Sequence, residues 1–180
     1  MKRSKGLMIL SLQKSADFIF LTLTVWREAR GEPVAVKAAV AHSILNRVNR
    51  PSWWGKDIMG VVFKKWQYSS LTDPKDPQLT TWPKADETAW QECLVIASNV
   101  MKGLLENPVP GADSYYDISI QAPYWAKDEA FVCQIGRVRF YNLDNDYEIE
   151  EAKVIAAGLD LDPLAGYIDL LGLNSIAQMV

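Results

Sequence analysis

The sequence predicts an α+β fold that is mostly helical and carries a small antiparallel sheet. Three observations predict it. Apolar residues recur at helical spacing along three long stretches that end near residue 106. After a break rich in Pro and Gly, the pattern changes to short extended pieces, two of which read as a tight hairpin. No internal repeat or low-complexity linker divides the 180 residues, so they read as one domain.

The first helix is predicted over about Ala16 to Arg30. Phe18, Leu21, Val25 and Ala29 fall on one face, Ser15 serves as N-cap, and Gly31 and Pro33 end it. Pro33 suits the first turn of a second helix, which runs to about Asn49. Val36, Val40, Ile44 and Val48 form its ridge, and Ala38, Ala39 and Ala41 allow a neighbour to approach closely. Pro51 ends it.

Residues 51–83 are irregular and aromatic, with Trp53, Trp54, Phe63, Trp66, Tyr68 and Trp82. Such a segment either lines a cleft or packs over the helices. A third helix follows over about Lys84 to Glu106, buried through Trp90, Cys93, Leu94, Ala97, Met101 and Leu104. Strands are predicted at Ser114–Asp117, Phe131–Gln134 and Arg137–Tyr141, the last two turning near Ile135-Gly136. Beyond Asn142 come an acidic patch (Asp144, Asp146, Glu148, Glu150, Glu151) and an apolar helical piece around Leu164–Leu173, to which no chemistry is assigned.

Composition excludes several classes. Net charge is −3 and pI about 5.2, which argues against general nucleic-acid binding. Mean hydropathy is −0.07, and no run approaches the length of a stable membrane span. Lys2, Arg3 and Lys5 before the apolar run Gly6–Leu12 resemble the start of a secretory signal, but no small-residue cleavage site closes it. Cys93 and Cys133 lie in no CxxC pair and read as small hydrophobes, with a disulfide between them left open. His42, the one histidine, reads as a packed or surface helical residue. A catalytic zinc set would need further ligands, so no metal and no cofactor are expected.

Glu28 is the carboxylate placed to do chemistry. It follows Val25 by three residues and Leu21 by seven, so it borders the apolar face of the first helix. Partial burial and the negative pole of the helix end both raise its pKa. Arg27 and Arg30 oppose them. Spacing alone favours a solvated surface Glu at a charged helix end.

Resemblance reverses that preference. Trp26-Arg27-Glu28-Ala29-Arg30-Gly31-Glu32-Pro33 and the following Ala39-Val40-Ala41-His42-Ser43-Ile44-Leu45-Asn46-Arg47-Val48 resemble the opening of the SleB-type cell-wall hydrolase family. Gly60-Val61-Val62, Gln67-Tyr68-Ser69, Gly111-Ala112-Asp113-Ser114-Tyr115-Tyr116 and Ile135-Gly136 with Phe140-Tyr141 resemble its later segments, in order, over about residues 18–141. Tyr68 stands where the family usually has Phe. Arg137-Val138-Arg139 occupies the place of its hairpin His.

The resemblance implies a lysozyme-like outline, with a cleft between the helices and the sheet. It implies a lytic transglycosylase acting on the glycosidic bond between N-acetylmuramic acid and N-acetylglucosamine of peptidoglycan. Glu28 maps onto the family's catalytic glutamate and Glu32 onto a supporting one. Gln67 and Tyr116 map onto cleft residues, with Tyr115, Ser69, Trp66 and Trp82 as further substrate-binding candidates. A hydrolytic muramidase would need a second carboxylate, for which Asp57, Asp73 and Asp76 are candidates. An N-acetylmuramoyl-L-alanine amidase and a non-catalytic wall-binding module are the remaining alternatives. Residues 1–145 are expected to form the catalytic domain, with 146–180 an extension packed on it. The chain is expected to be a monomeric phage endolysin. It would accumulate in the host cytoplasm and act on the periplasmic wall once the membrane opens.

Overall fold

The structure, a computed structural model, describes residues 2–50 and 54–143, with side chains from residue 12 onward. The acidic patch, the apolar piece at 164–173, and Trp53 therefore lie outside the described residues.

Helix α1 spans Lys2–Ala29, so it begins well before the predicted Ala16. Residues 2–14 are mainly Lys, Leu, Met and Gln, good helix formers, and the single Gly6 does not break them. Ser15 is therefore inside the helix and not its N-cap. Helix α2 spans Val34–Val48, and Pro33 occupies its N-cap. The aromatic segment folds into two short helices, α3 (Ile58–Val62) and α4 (Ser69–Thr72), and a 3-10 turn at Pro77–Thr80. Asp57 caps α3 by accepting the Gly60 N–H at 2.6 Å.

Helix α5 spans Thr88–Met101, shorter at both ends than predicted. Gly103, at φ +64, explains the C-terminal end. The Leu104 N–H bonds to the Asn99 carbonyl at 2.9 Å and the Gly103 N–H to the Val100 carbonyl at 3.1 Å. This pair of bonds closes the helix on a left-handed glycine.

Strands β1 (Ser114–Asp117), β2 (Phe131–Ile135) and β3 (Val138–Tyr141) form an antiparallel sheet in the order β1-β3-β2. Ser114 pairs with Tyr141 and Asp117 with Val138. The β2–β3 turn has two residues, and its first needs a left-handed backbone, which Gly136 adopts at φ +58.

Helices α1, α2 and α5 pack on one another around one core. Phe18, Leu21 and Val25 meet Val36, Val40 and Ile44, with Cys93, Ala97 and Met101 from α5. Val138 and Phe140 of the central strand close that core from the sheet side. The C-terminal end of α1 thus lies where the helical layer meets the sheet. A smaller cluster of Tyr116, Ala130 and Tyr141 packs on Trp125 at the sheet's outer side. Among the described residues no helix is long and apolar enough to cross a membrane.

Candidate active site

Two cavities flank Glu28. The first, about 490 Å³, is lined by Arg47, Trp54, Trp66, Gln67 and Tyr68 from the α2–α4 side and by Ser114, Tyr115, Tyr124, Trp125 and Leu143 from the sheet side. The second, about 350 Å³, lies toward Glu32, Val36, Val40, Tyr116, Asp117 and Trp125. Glu28, Tyr115 and Trp125 belong to both, so they mark the junction of one continuous groove.

Glu28 is an exposed residue whose carboxyl opens onto the groove, with protein packed densely behind it. The enclosing protein governs its ionisation, because removal of bulk water from around the charge costs more than one open face returns. Burial is accordingly the largest influence and raises its pKa above the ordinary carboxylate range. Two hydroxyls work against burial. Ser70 Oγ donates to Oε1 at 2.7 Å, and the Tyr115 hydroxyl donates to Oε2 at 3.3 Å. Asp76 adds a raising influence and Arg47 a lowering one.

Arg27 and Arg30, the sequence neighbours expected to hold that pKa down, are engaged elsewhere. Arg27 donates to the backbone carbonyls of Ser70 (2.7 Å), Leu79 (3.1 Å) and Thr81 (3.1 Å). Arg30 bonds to Gln78 and lies over the Trp26 ring. Arg27 thereby fixes the backbone of the residue whose hydroxyl meets Glu28.

Arg47 brings positive charge to the first cavity. Its guanidinium lies 4.6 Å from the Trp54 ring centroid and 5.0 Å from that of Tyr68. It donates to the Asp113 carbonyl and, at 3.0 Å, to Gln67 Oε1. With its oxygen held by Arg47, the Gln67 amide presents its NH2 as a donor. Burial pushes the Tyr68 phenol up to about 12 and that of Tyr115 well above its ordinary value, so both remain protonated donors near neutral pH.

Of the residues expected at the site, Trp66, Gln67 and Tyr115 line the first cavity, and Tyr115 and Tyr116 the second. Trp66 is 81% exposed and holds a left-handed backbone at φ +72, rare for a bulky residue and concentrated where function imposes it. Ser69 lines neither cavity. Its hydroxyl donates to Asp76 at 2.6 Å, and the next residue, Ser70, meets Glu28 instead. Trp82 also lines neither cavity, and its exposed ring rests 5.2 Å from the Arg27 guanidinium.

Asp57, Asp73 and Asp76 are likewise absent from both cavity walls. Asp57 caps α3, Asp73 accepts the Lys75 N–H, and Asp76 accepts the Gln78 N–H. The carboxylates that share the groove with Glu28 are Glu32 and Asp117. Sequence reasoning passed over Ser70, Arg47, Tyr124 and Trp125. The Pro123-Tyr124-Trp125 step carried a usable signal, the same irregular aromatic character that singled out residues 51–83.

His42 is buried in α2, with one ring nitrogen on the Leu105 backbone and Nε2 unpartnered, and it lines neither cavity. Cys93 and Cys133 are both free thiols. No cluster of metal-ligating side chains occurs among the described residues.

The helical layer, the three-stranded sheet and the groove with Glu28 at its junction define an acid-bearing cleft domain of the α+β class. The profile described as "Cell Wall Hydrolase" matches residues 31–141. The chain belongs to that cell wall hydrolase family, of the SleB type. The match begins three residues after Glu28, whose place in the groove is given by the geometry. A spore cortex-lytic enzyme of Halalkalibacterium halodurans is 30% identical over 126 residues, covering 70% of this chain and 34% of that protein. The chain thus spans about a third of that relative's length. The crystal structure of the catalytic domain of the Bacillus cereus SleB protein is similar with a TM-score of 0.52 and 25% identity, over 69% of this chain and 88% of the other. The fold is lysozyme-like.

Proposed function

We propose that this chain cleaves peptidoglycan glycan strands between N-acetylmuramic acid and N-acetylglucosamine as a lytic transglycosylase. One observation carries the reading. A single carboxyl with a raised pKa lies at the junction of two aromatic-lined cavities, with a hydroxyl donor on each of its oxygens. A strand laid along the groove would place its scissile bond over Glu28.

Burial favours the protonated form of Glu28, from which it donates to the glycosidic oxygen as that bond breaks. Ser70, Tyr115 and Arg47 then stabilise the carboxylate that results. The carboxylate takes the proton of the muramoyl C6 hydroxyl as that oxygen attacks C1. The products are a 1,6-anhydro end and a new C4 hydroxyl, and Glu28 regains its proton. The Gln67 amide is positioned to hydrogen-bond the sugar, and Trp66, Tyr124 and Trp125 offer faces for stacking.

Glu28→Gln tests the reading on purified walls. Removal of the acid should lower the lysis rate by about 10²–10⁴-fold with an unchanged melting temperature. Unchanged lysis sinks the assignment of Glu28 as the acid, and a wild type that binds walls without lysing them would be a wall-binding module. Mass spectrometry of the wild-type digest separates the enzymes. Anhydromuramoyl ends mark a transglycosylase, reducing ends a muramidase, and free peptides an amidase. The muramidase is the competing reading with a structural foothold, since Glu32 and Asp117 line the second cavity. We further propose a role as a phage endolysin acting from the host cytoplasm. Its test is expression in a bacterium, with lysis on permeabilising the inner membrane and none before.

A further inference from the structure

Arg137 ties together the two carboxylates that share the second cavity with Glu28. Its Nη2 lies 2.8 Å from Glu32 Oε1 and 3.4 Å from Asp117 Oδ2. Glu32 comes from the α1–α2 connection and Asp117 from the last position of β1, so the contact crosses from the helical layer to the sheet. The residue reaches this point because it is the second of the two turn residues between β2 and β3, and because Asp117 pairs with Val138 across the sheet. The backbone continues the tie, with the Ile118 N–H bonded to the Arg137 carbonyl at 2.9 Å.

Glu32 lies four positions after Glu28, in the turn that follows the end of α1. Both Glu32 and Asp117 line the 350 Å³ cavity that Glu28 also lines. A hydrolytic glycosidase needs a second carboxylate in the same groove to take a proton from water. Two candidates are therefore in place, and one guanidinium engages both.

We propose that Arg137 is a specificity-determining positioning residue, whose clamp on Glu32 and Asp117 withholds them as bases and commits the groove to the anhydro product. The inference rests on the transglycosylase reading above. The Glu32 hydrogen bond and the Asp117 charge both raise the Arg137 pKa, and Arg137 adds to the influences that hold Asp117 below its ordinary range. Arg137 therefore stays charged beside the two carboxylates.

Without the clamp, water competes with the C6 hydroxyl. The water oxygen attacks C1 of the muramoyl unit and its proton passes to the freed carboxylate of Glu32 or Asp117. Glu28 gives its own proton to the departing glycosidic oxygen, and the product carries a reducing end.

The test compares the ratio of reducing to anhydromuramoyl ends released from purified peptidoglycan by wild type, Arg137→Gln and Arg137→Lys. Arg137 is 62% exposed, so both variants should fold, and a melting curve checks this. Arg137→Gln should raise the share of reducing ends about tenfold, less than the roughly 10²–10⁴-fold of a fully placed general base, because neither freed carboxylate is positioned for water by the fold. Arg137→Lys retains a charge between the carboxylates and should stay near the wild-type ratio. Adding Glu32→Gln and Asp117→Asn to Arg137→Gln should return the ratio toward wild type. A clamp that is merely structural would change the total rate at a constant ratio, and that result overturns the inference. A wild type that releases mainly reducing ends defeats the transglycosylase reading on which the inference rests. A wild type that releases neither kind of end defeats the transglycosylase reading itself, whereas anhydro ends with an unmoved ratio defeat only the role of Arg137.

Discussion

At the scale of single residues, the chemistry depends on how opposing influences on Glu28 resolve. Burial raises its pKa, and the Ser70 and Tyr115 hydroxyls and Arg47 lower it. An acid that must be protonated loses activity as pH rises through its pKa. Ser70→Ala removes a donor to the carboxylate, so the pKa should rise and the alkaline limb of the lysis profile should move to higher pH. Tyr115→Phe should move it in the same direction. A pH–rate profile checks both, and a limb that moves to lower pH contradicts the assignment. Helical spacing placed Glu28 at the edge of the apolar face, but local sequence suggested the wrong charges as its neighbours. Arg27 and Arg30 are adjacent in the chain and bonded elsewhere, whereas Arg47 and Ser70 arrive from other elements. Contacts of that range leave no periodic trace. Ser69, one position from Ser70, shows how a motif can point to the right turn and the wrong side chain.

At the scale of elements, the sheet is held to α2 by a buried ion pair. Arg50, just past the C-terminus of α2, meets Asp113, just before β1, at 2.7 Å, and both are almost fully enclosed. Arg50 also bonds to the Gly111 carbonyl and to Asn142 Oδ1, while Asp113 accepts the Leu143 N–H at 3.1 Å. One residue thus joins the end of a helix to the entry of β1 and the exit of β3. Arg50→Met takes the cation away from the buried Asp113 carboxyl and should destabilise the fold by about 3 kcal/mol in chemical denaturation. A loss under 1 kcal/mol would mean that Asp113 finds other partners. The elements themselves were largely legible. Val36, Val40 and Ile44 marked α2 through their i+4 ridge, and the extended pieces after Pro110 marked the three strands. The boundaries that misled were those set by backbone geometry. Gly103 ends α5 because a left-handed residue closes the last carbonyls, yet the apolar pattern continues past it to Leu104.

At the scale of the whole molecule, stability and pH are linked through groups buried far from the groove. Asp17 lies in α1 against the start of α3, where it accepts the Met59 N–H at 3.1 Å. Burial and the nearby Asp57 charge raise its pKa from 3.8 to about 6 against that hydrogen bond. A carboxyl whose pKa is raised by folding favours the folded state while protonated. Its contribution is complete below pH 3.8 and is lost as pH rises through about 6. His42 has the opposite sign, because burial lowers its pKa. Its contribution is present above 6.5 and is lost as pH falls through the lowered value. Asp17→Asn keeps the oxygen that accepts the Met59 N–H and removes the charge. Above pH 7 the variant should be more stable than wild type by about 2 kcal/mol, and the difference should fade as pH drops below 4. Loss of stability toward acid through His42 should persist in both proteins. Urea unfolding at pH 4, 6 and 8 measures the difference directly. A gap between the two proteins that is constant across those pH values would mean that Asp17 acts through packing and not through its charge.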